Sequence, residues 1–331
     1  MSQVIQSLRR TVIPAPMAGG PTTVDLVRAA HQAGSFGTLG LGSASVDSAR
    51  SQIDACAGIP FGVNLFCPQD PLTPEQLAAA AELAAAEGAT LPDPDYSFGF
   101  HDKLELALQG GARVVWSMFG AFDSEQLARI HAAGAEAWTT VTTPDEARAA
   151  ATLGVDALCV QGPAAGGHRG TWDRTALPDD RPLAELIAAV HKAVHAVAPN
   201  IPLIAAGGLR TASDVTQVLS LPGVAAASCG SAFLLSKEAG TSDYNRKLLQ
   251  RGGATVSTRA FSGRHARGLE NDYTRAHPDV PPVYPMLNSV LKERRAQHDD
   301  AVAYCLVGEP AAKIRGGSVA DILDSLCQNK H

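Results

Sequence analysis

VDALCVQGPAAGGHRGTW, Val155 to Trp172, opens with an apolar run that reads as a short buried strand and stops at Gln161. The next six residues are one proline and five glycines or alanines, and then His168 stands beside Arg169. A turn alone needs one or two glycines. A strand that ends in so many small residues makes room for something large and flat to approach the backbone, with an imidazole facing it.

The same strand-then-turn pattern repeats along the chain. β-like runs stand at 11–17 (TVIPAPM), 36–42 (FGTLGLG), 60–66 (PFGVNLF), 112–119 (ARVVWSMF), 136–143 (EAWTTVTT), 156–162 (DALCVQG), 201–208 (IPLIAAGG) and 223–230 (GVAAASCG). Alanine-rich helical stretches lie between them, many opening on Thr, Ser, Asp or Pro and closing on Gly, as helix ends prefer. Eight strands, each followed by a helix, is the count of a (β/α)8 TIM barrel, whereas a doubly wound sheet normally uses fewer strands in this length. Two parts break the repeat: the proline-broken insertion GATLPDPDYSFGFHD (88–102) and everything from about Lys237 onward. The expectation is a barrel over 1–236 with a smaller accessory domain over 237–331, the insertion contributing to a lid across the C-terminal face, where barrel active sites lie.

Composition narrows the function. The 331 residues are 45% hydrophobic, enough for a large core, and the net charge of −6 offers no broad basic face for nucleic acid or anionic membrane. No apolar run is long enough to cross a bilayer, and the polar first ten residues are not a secretory signal. The six cysteines show neither CxxC nor regular spacing and read as small buried hydrophobes. Together these point to a soluble cytoplasmic protein acting on a small molecule.

Barrel chemistry gathers at the C-terminal ends of strands. Gly207-Gly208 after the seventh run and Gly230-Ser231 after the eighth suit a phosphate, because small residues let backbone N–H groups point at it. His168 is expected on a loop, unburied among glycines, with an imidazole near its ordinary pKa and so suited to accept a proton at neutral pH. His191 and His195 have the i,i+4 spacing of a zinc helix, but Lys192 stands where HExxH needs its glutamate, so no metal is expected. No GxSxG, P-loop or GxGxxG follows a strand, which removes support for hydrolase, NTPase and dinucleotide-fold readings.

PAPMAGG, FGVNLF, QGPAAGGHRG, IPLIAAGG, CGSAFL and SGRHARGLEND, in this order and across nearly the whole chain, resemble the nitronate monooxygenases, formerly called 2-nitropropane dioxygenases. AGGHRG is the most specific of these pieces. The resemblance implies noncovalent FMN and the oxidation of alkyl nitronates such as propionate 3-nitronate, and of nitroalkanes, to carbonyl compound and nitrite with O2. By the same resemblance the backbone of Ala15, Pro16 and Met17 lines the flavin ring, and Asn64 hydrogen-bonds to it. Gln161, Gly166 and Gly167 contact it further along, while Gly207, Gly208, Gly230 and Ser231 hold its phosphate. His168 is then the base beside the flavin.

One stretch departs from the family pattern. Where some members carry YxxxYxxxK, this chain has Tyr284, Asn288 and Lys292, so the substrate preference of those members does not transfer. Two other functions compete. FMN-dependent enoyl-acyl-carrier-protein reductases share the barrel and a GGH loop but take hydride from NAD(P)H, and GGHRG favours the monooxygenase. A flavin-free barrel that binds a phosphate ligand is the third. The oligomeric state stays open, a homodimer being one option.

Overall fold

Each of the eight runs contains one strand of a single parallel sheet. The computed structural model describes residues 2–312 and 314–327; Met1, Lys313 and 328–331, which belong to the two expected segments, lie outside the described residues. The strands are β1 Val12–Pro14, β2 Thr38–Gly40, β3 Gly62–Phe66, β4 Val114–Met118, β5 Glu136–Val141, β6 Ala157–Gln161, β7 Gly167–His168, β8 Leu203–Ala206, β9 Val224–Cys229, β10 Thr255–Thr258 and β11 Ala266–Leu269. The large sheet runs β1-β9-β8-β6-β5-β4-β3-β2 and curls into a nearly closed barrel. Its seam depends on Gly40: a Cβ there would stand 2.8 Å from the Met17 carbonyl carbon and the Ala18 nitrogen, an approach only glycine permits.

The helices are α1 Gln3–Ser7, α2 Val24–Gln32, α3 Val46–Ala55, α4 Pro74–Ala86, α5 Phe100–Gln109, α6 Ser124–Ala132, α7 Pro144–Leu153, α8 Leu183–His195 and α9 Ala212–Leu219, then α10 Asp243–Arg251, α11 Asp272–Ala276, α12 Met286–Val290, α13 Lys292–Ala296 and α14 Val319–Leu326. The side chains of Thr23, Ser45, Thr73, Asp123, Thr143 and Thr211 cap the helices that follow them, each accepting an orphan backbone N–H of the first turn. Such a cap contributes about 1 kcal/mol.

Inside the barrel, large and small side chains are segregated. Trp116 of β4 and Trp138 of β5 are fully buried, with ring centroids 5.3 Å apart, and Thr140 and Glu136 accept from their indole N–H groups. The strands that follow round the barrel, β6, β8 and β9, carry Ala157, Cys159, Ala206 and Ala226. The indoles fill one side, and the small residues leave the other side open toward the strands' C-terminal ends. The N-terminal end is plugged by α1, whose Val4, Ile5 and Leu8 pack on this interior cluster, while Glu136 accepts from Ser2 Oγ and the Val4 N–H. In sequence this segment reads as polar with no apolar core, and only the fold shows that Val4, Ile5 and Leu8 share one core-facing side.

A second sheet, β10-β11-β7, is antiparallel and joins the tail to the barrel. Ala266 pairs with His168 and Arg267 with Gly167. This corrects the loop expected there: the glycine-histidine stretch is a two-residue strand. The expected insertion is also shorter as irregular chain, because α5 begins at Phe100. Ala89, Leu91 and Tyr96 of that insertion pack against a separate core that joins α4 to Val280, Val283, Leu287 and Val290 of the tail. Further on the tail returns to the barrel, where Val319, Ile322, Leu323 and Leu326 of α14 enter the main core.

Between these parts the tail crosses the glycine-rich turn. Glu309 N–H donates to the Ala164 carbonyl and Gly308 N–H to Ser231 Oγ, both at 2.9 Å. Gly166 faces this crossing so closely that a Cβ would lie 2.3 Å from Gly308 N and 2.5 Å from the Val307 carbonyl carbon. Gly166→Ala therefore forces two backbones apart and is expected to cost about 1–3 kcal/mol of stability, the range for overpacking. A urea titration against wild type checks this, and an unchanged midpoint would mean the tail does not seat on the turn.

Candidate active site

The open side of the barrel continues into a cavity of about 550 Å³, a size suited to a cofactor and a small substrate. All fifteen residues singled out from the sequence line it: Ala15, Pro16 and Met17 after β1, Asn64 on β3, Gln161, Gly166, Gly167 and His168 around β6 and β7, Gly207 and Gly208 after β8, Gly230 and Ser231 after β9, and Tyr284, Asn288 and Lys292 from the tail. Residues from six separate parts of the chain thus meet in one place.

Their hydrogen bonds decide what each still has to offer. Ala15 N–H donates to the Cys229 carbonyl and Met17 N–H to Thr22 Oγ1, and Pro16 has no N–H, so this segment presents carbonyls and apolar surface. Asn64 donates one amide N–H to the Trp116 carbonyl at 2.9 Å, which leaves its second N–H and Oδ1 to offer. Gln161 is committed at both ends: Nε2 donates to the His168 carbonyl and Oε1 accepts from Gly170 N–H. Its amide holds the turn in shape. Ser231 accepts from Gly308 N–H and keeps its own proton to donate.

His168 differs from its expectation in two respects. Glycines flank it in sequence, but in space its ring is wedged between Phe119 and Tyr284, with centroids at 5.9 and 5.2 Å. Burial, and secondarily the Arg264 guanidinium, push its pKa from the ordinary 6.5 down to about 3. The imidazole is neutral across the physiological range. Its Nε2 lies 2.7 Å from the Ser262 hydroxyl.

Several cationic residues of the site escaped the sequence reading. Arg210, directly after Gly208 and Leu209, lines the cavity at 8% exposure; its Nη1 donates to the Leu209 carbonyl, while Nε and Nη2 have no partner. A buried guanidinium with free donors and no carboxylate in contact calls for an anion. Arg295 of α13 also lines the cavity, bonded to the Val302 and Phe261 carbonyls and to Asn288 Oδ1, with its guanidinium 4.6 Å from the Tyr304 ring centroid. Arg264 is fully buried behind Phe119, 4.1 Å from that ring centroid. Among the described residues no aspartate or glutamate lines the cavity. Arginines in a sequence of balanced charge look like solvated surface, and only their position after a strand end could have singled out Arg210.

Other groups are quiet. Cys159 and Cys229 line the cavity, but burial pushes both thiols up, the latter to about 12, so neither is a thiolate at neutral pH. Among the described residues no cluster of His, Cys, Asp or Glu could hold a metal ion, and no helix is long and apolar enough to cross a membrane.

A (β/α)8 barrel whose strand ends open into a cavity lined by a neutral histidine and the buried Arg210 has its site where barrel enzymes carry their chemistry. The comparisons give the family. The model of the nitronate monooxygenase family matches residues 3–329, and the chain belongs to that family. It is 30% identical to a nitronate monooxygenase of Pseudomonas aeruginosa over 97% of this chain and 96% of that one, and 33% identical to one of Paraburkholderia phytofirmans over 96% and 91%. Among solved structures, a nitroalkane oxidase from Streptomyces ansochromogenes superposes with a TM-score of 0.88 at 33% identity, covering 98% of this chain and 96% of that one. FabK from Thermotoga maritima superposes at 0.74 with 22% identity, over 98% and 93%, a likeness of fold alone.

The depressed pKa of His168 has a consequence for stability. Between its ordinary value and about 3 the unfolded chain binds a proton that the folded chain refuses, so stability falls as pH drops below about 6.5. His265, pushed down to about 4 chiefly by burial, acts in the same direction. His168→Asn is expected to flatten this dependence. Urea midpoints for both proteins at about pH 7 and about pH 5 check it, and parallel losses would show that His168 titrates normally in the fold.

Proposed function

We propose that the cavity binds FMN noncovalently and that the protein oxidises alkyl nitronates, and the nitroalkanes from which they form, to carbonyl compound and nitrite with O2. The observation that carries this reading is the cavity's charge pattern. Arg210 stands beside the glycine turns after β8 and β9, Lys292 and Arg295 stand on the tail side, and among the described residues no carboxylate lines the cavity with them. The fit of the phosphate rests on Arg210: its two free nitrogens match a group that accepts charge-assisted hydrogen bonds. Ser231 adds its O–H donor, and Gly207, Gly208 and Gly230 leave the approach open. Ala15, Pro16 and Met17 would face the flavin ring, with the Asn64 carbonyl oxygen, Gly166 and Gly167 nearby.

When bound, FMN would supply the redox chemistry, accepting electrons from the nitronate and passing them to O2. The chain's residues bind and orient. Lys292 and Arg295 give an anionic substrate a counter-charge, and one with a second anionic group, such as propionate 3-nitronate, has a partner for each. Phe119 and Tyr284 pack edge-on against the His168 ring and shield part of it. A nitronate needs no deprotonation, whereas a neutral nitroalkane must first lose its α-proton, and the neutral imidazole of His168 is the acceptor. Its low basicity in the ligand-free cavity rises as the substrate becomes an anion beside it, because an adjacent negative charge favours the imidazolium. In this reading 1–236 holds the cofactor, and 237–331 with the 88–102 insertion covers it.

Heat or acid is expected to release a yellow chromophore that chromatographs as FMN, and anaerobic nitronate, not NADH, is expected to bleach it. Bleaching by NADH would favour the reductase reading, and a colourless protein that FMN cannot reconstitute would end both. His168→Asn is expected to keep its flavin spectrum and lose ~10²–10⁴-fold in activity on nitroethane, the usual contribution of a positioned base, with a much smaller loss on ethylnitronate. Steady-state rates on the two substrates decide it, since equal losses would move His168 from proton transfer to binding.

Arg210→Gln removes the charge while keeping one amide donor. Hydrogen bonds to charged groups contribute about 1.5–3 kcal/mol, so FMN affinity is expected to fall about 10- to 100-fold. Titration of apoprotein by quenching of FMN fluorescence reads this directly. Riboflavin, which lacks the phosphate, is expected to bind wild type and variant alike, and a parallel loss for riboflavin would place Arg210 away from the phosphate.

A further inference from the structure

The SGRH turn, Ser262 to His265, was singled out as a motif, yet the cavity-lining residues do not account for it. Ser262 is fully buried and does not line the cavity. Its Oγ lies 2.7 Å from His168 Nε2 and 3.3 Å from both the backbone nitrogen and the carbonyl oxygen of Arg264. A hydroxyl has one proton and two lone pairs to distribute among these three neighbours.

Two neighbours leave no choice. The Arg264 N–H can only donate, so it takes one lone pair. The Arg264 carbonyl can only accept; it belongs to a buried residue, and among the described residues Ser262 is its only hydrogen-bond donor. Giving the serine proton to this carbonyl satisfies it and leaves the second lone pair for an N–H on His168 Nε2. The opposite distribution sends the serine proton to Nε2 and strands a buried carbonyl, which folded chains rarely tolerate. Only the first arrangement uses all three contacts.

We propose that Ser262 is a positioning residue that fixes His168 in the Nε2–H tautomer, so that Nδ1 presents its lone pair to the cavity. Nδ1 has no hydrogen-bond partner among the described residues, and His168 lines the cavity. This rests on the reading of His168 as the proton acceptor for neutral nitroalkanes. In that step the α-carbon's C–H bond breaks, its electron pair stays on the substrate as the nitronate, and the proton forms the new N–H bond at Nδ1. The Nε2–H···Oγ bond is already in place and need not rearrange when the ring becomes cationic. The tail therefore takes part in the chemistry through a residue that touches neither cofactor nor substrate.

Nuclear magnetic resonance reads the tautomer without turnover. In holoenzyme labelled with 15N-histidine, long-range 1H–15N correlations identify which ring nitrogen carries the proton, and the His168 signals are those lost in His168→Asn. The expected result is a proton on Nε2 in wild type and a mixture of tautomers in Ser262→Ala. A proton on Nδ1 in wild type, or the same tautomer in Ser262→Ala, overturns the proposal. Kinetically, Ser262→Ala is expected to lower kcat/KM on nitroethane by about 10- to 100-fold, part of what a positioned base contributes, with ethylnitronate turnover within about twofold of wild type and unchanged FMN content. Equal losses on both substrates overturn it as well. A wild type that holds the Nε2–H tautomer yet ignores nitroethane would refute the base reading of His168 while leaving the serine's hold on the ring established.

Discussion

The pairing of Ala266 with His168 is the constraint on which the site depends. Two antiparallel residue pairs tie the tail to the glycine-rich turn after β6, and every property of the imidazole follows from that junction. Without it, five small residues and a proline would leave the ring on a loose loop. With it, the ring stands between Phe119 and Tyr284 with Ser262 behind it. The barrel supplies Phe119 and the tail supplies Tyr284 and Ser262, so neither part alone makes the histidine what it is.

The second organising fact is the asymmetry of the barrel interior. A small eight-stranded barrel is normally filled by side chains alone. Here Trp116 and Trp138 fill one side, and alanine and cysteine line the other, so the space continues upward as a cavity. The cationic side chains at its walls are not paired with carboxylates inside it. Burying a guanidinium whose Nε and Nη2 have no partner among the described residues costs stability, and an anion bound to it would recover that cost as affinity.

Much of this was legible in the sequence, for a local reason. Each barrel strand is an apolar run closed by glycine or proline, and six of the helices between strands start on a capping side chain, so the signal for most βα units is local. The fifteen residues on the cavity were found because they sit at those same strand ends, or in stretches that resemble the family. What escaped was non-local. Gly167–His168 is too short to read as a strand and becomes one only against residues of the tail. TVST and ARGL alternate too weakly to announce β10 and β11. The pKa of His168 was misjudged because its chain neighbours are glycines, whereas its spatial neighbours are aromatic rings and a buried arginine. The arginines at 210, 264 and 295 were passed over because a sequence shows charge but not burial.

The junction between the tail and the turn also orders events in time. All eight barrel strands have been synthesised once the chain reaches Cys229, and consecutive strands can pair as they emerge from the ribosome, but Ser262 lies 94 residues beyond His168. At that point the barrel has its full set of strands, but Ser262, Ala266 and Tyr284, which hold the histidine ring, have not yet been made. Completing the site is a separate event from synthesising the barrel strands, and it waits for the last quarter of the chain.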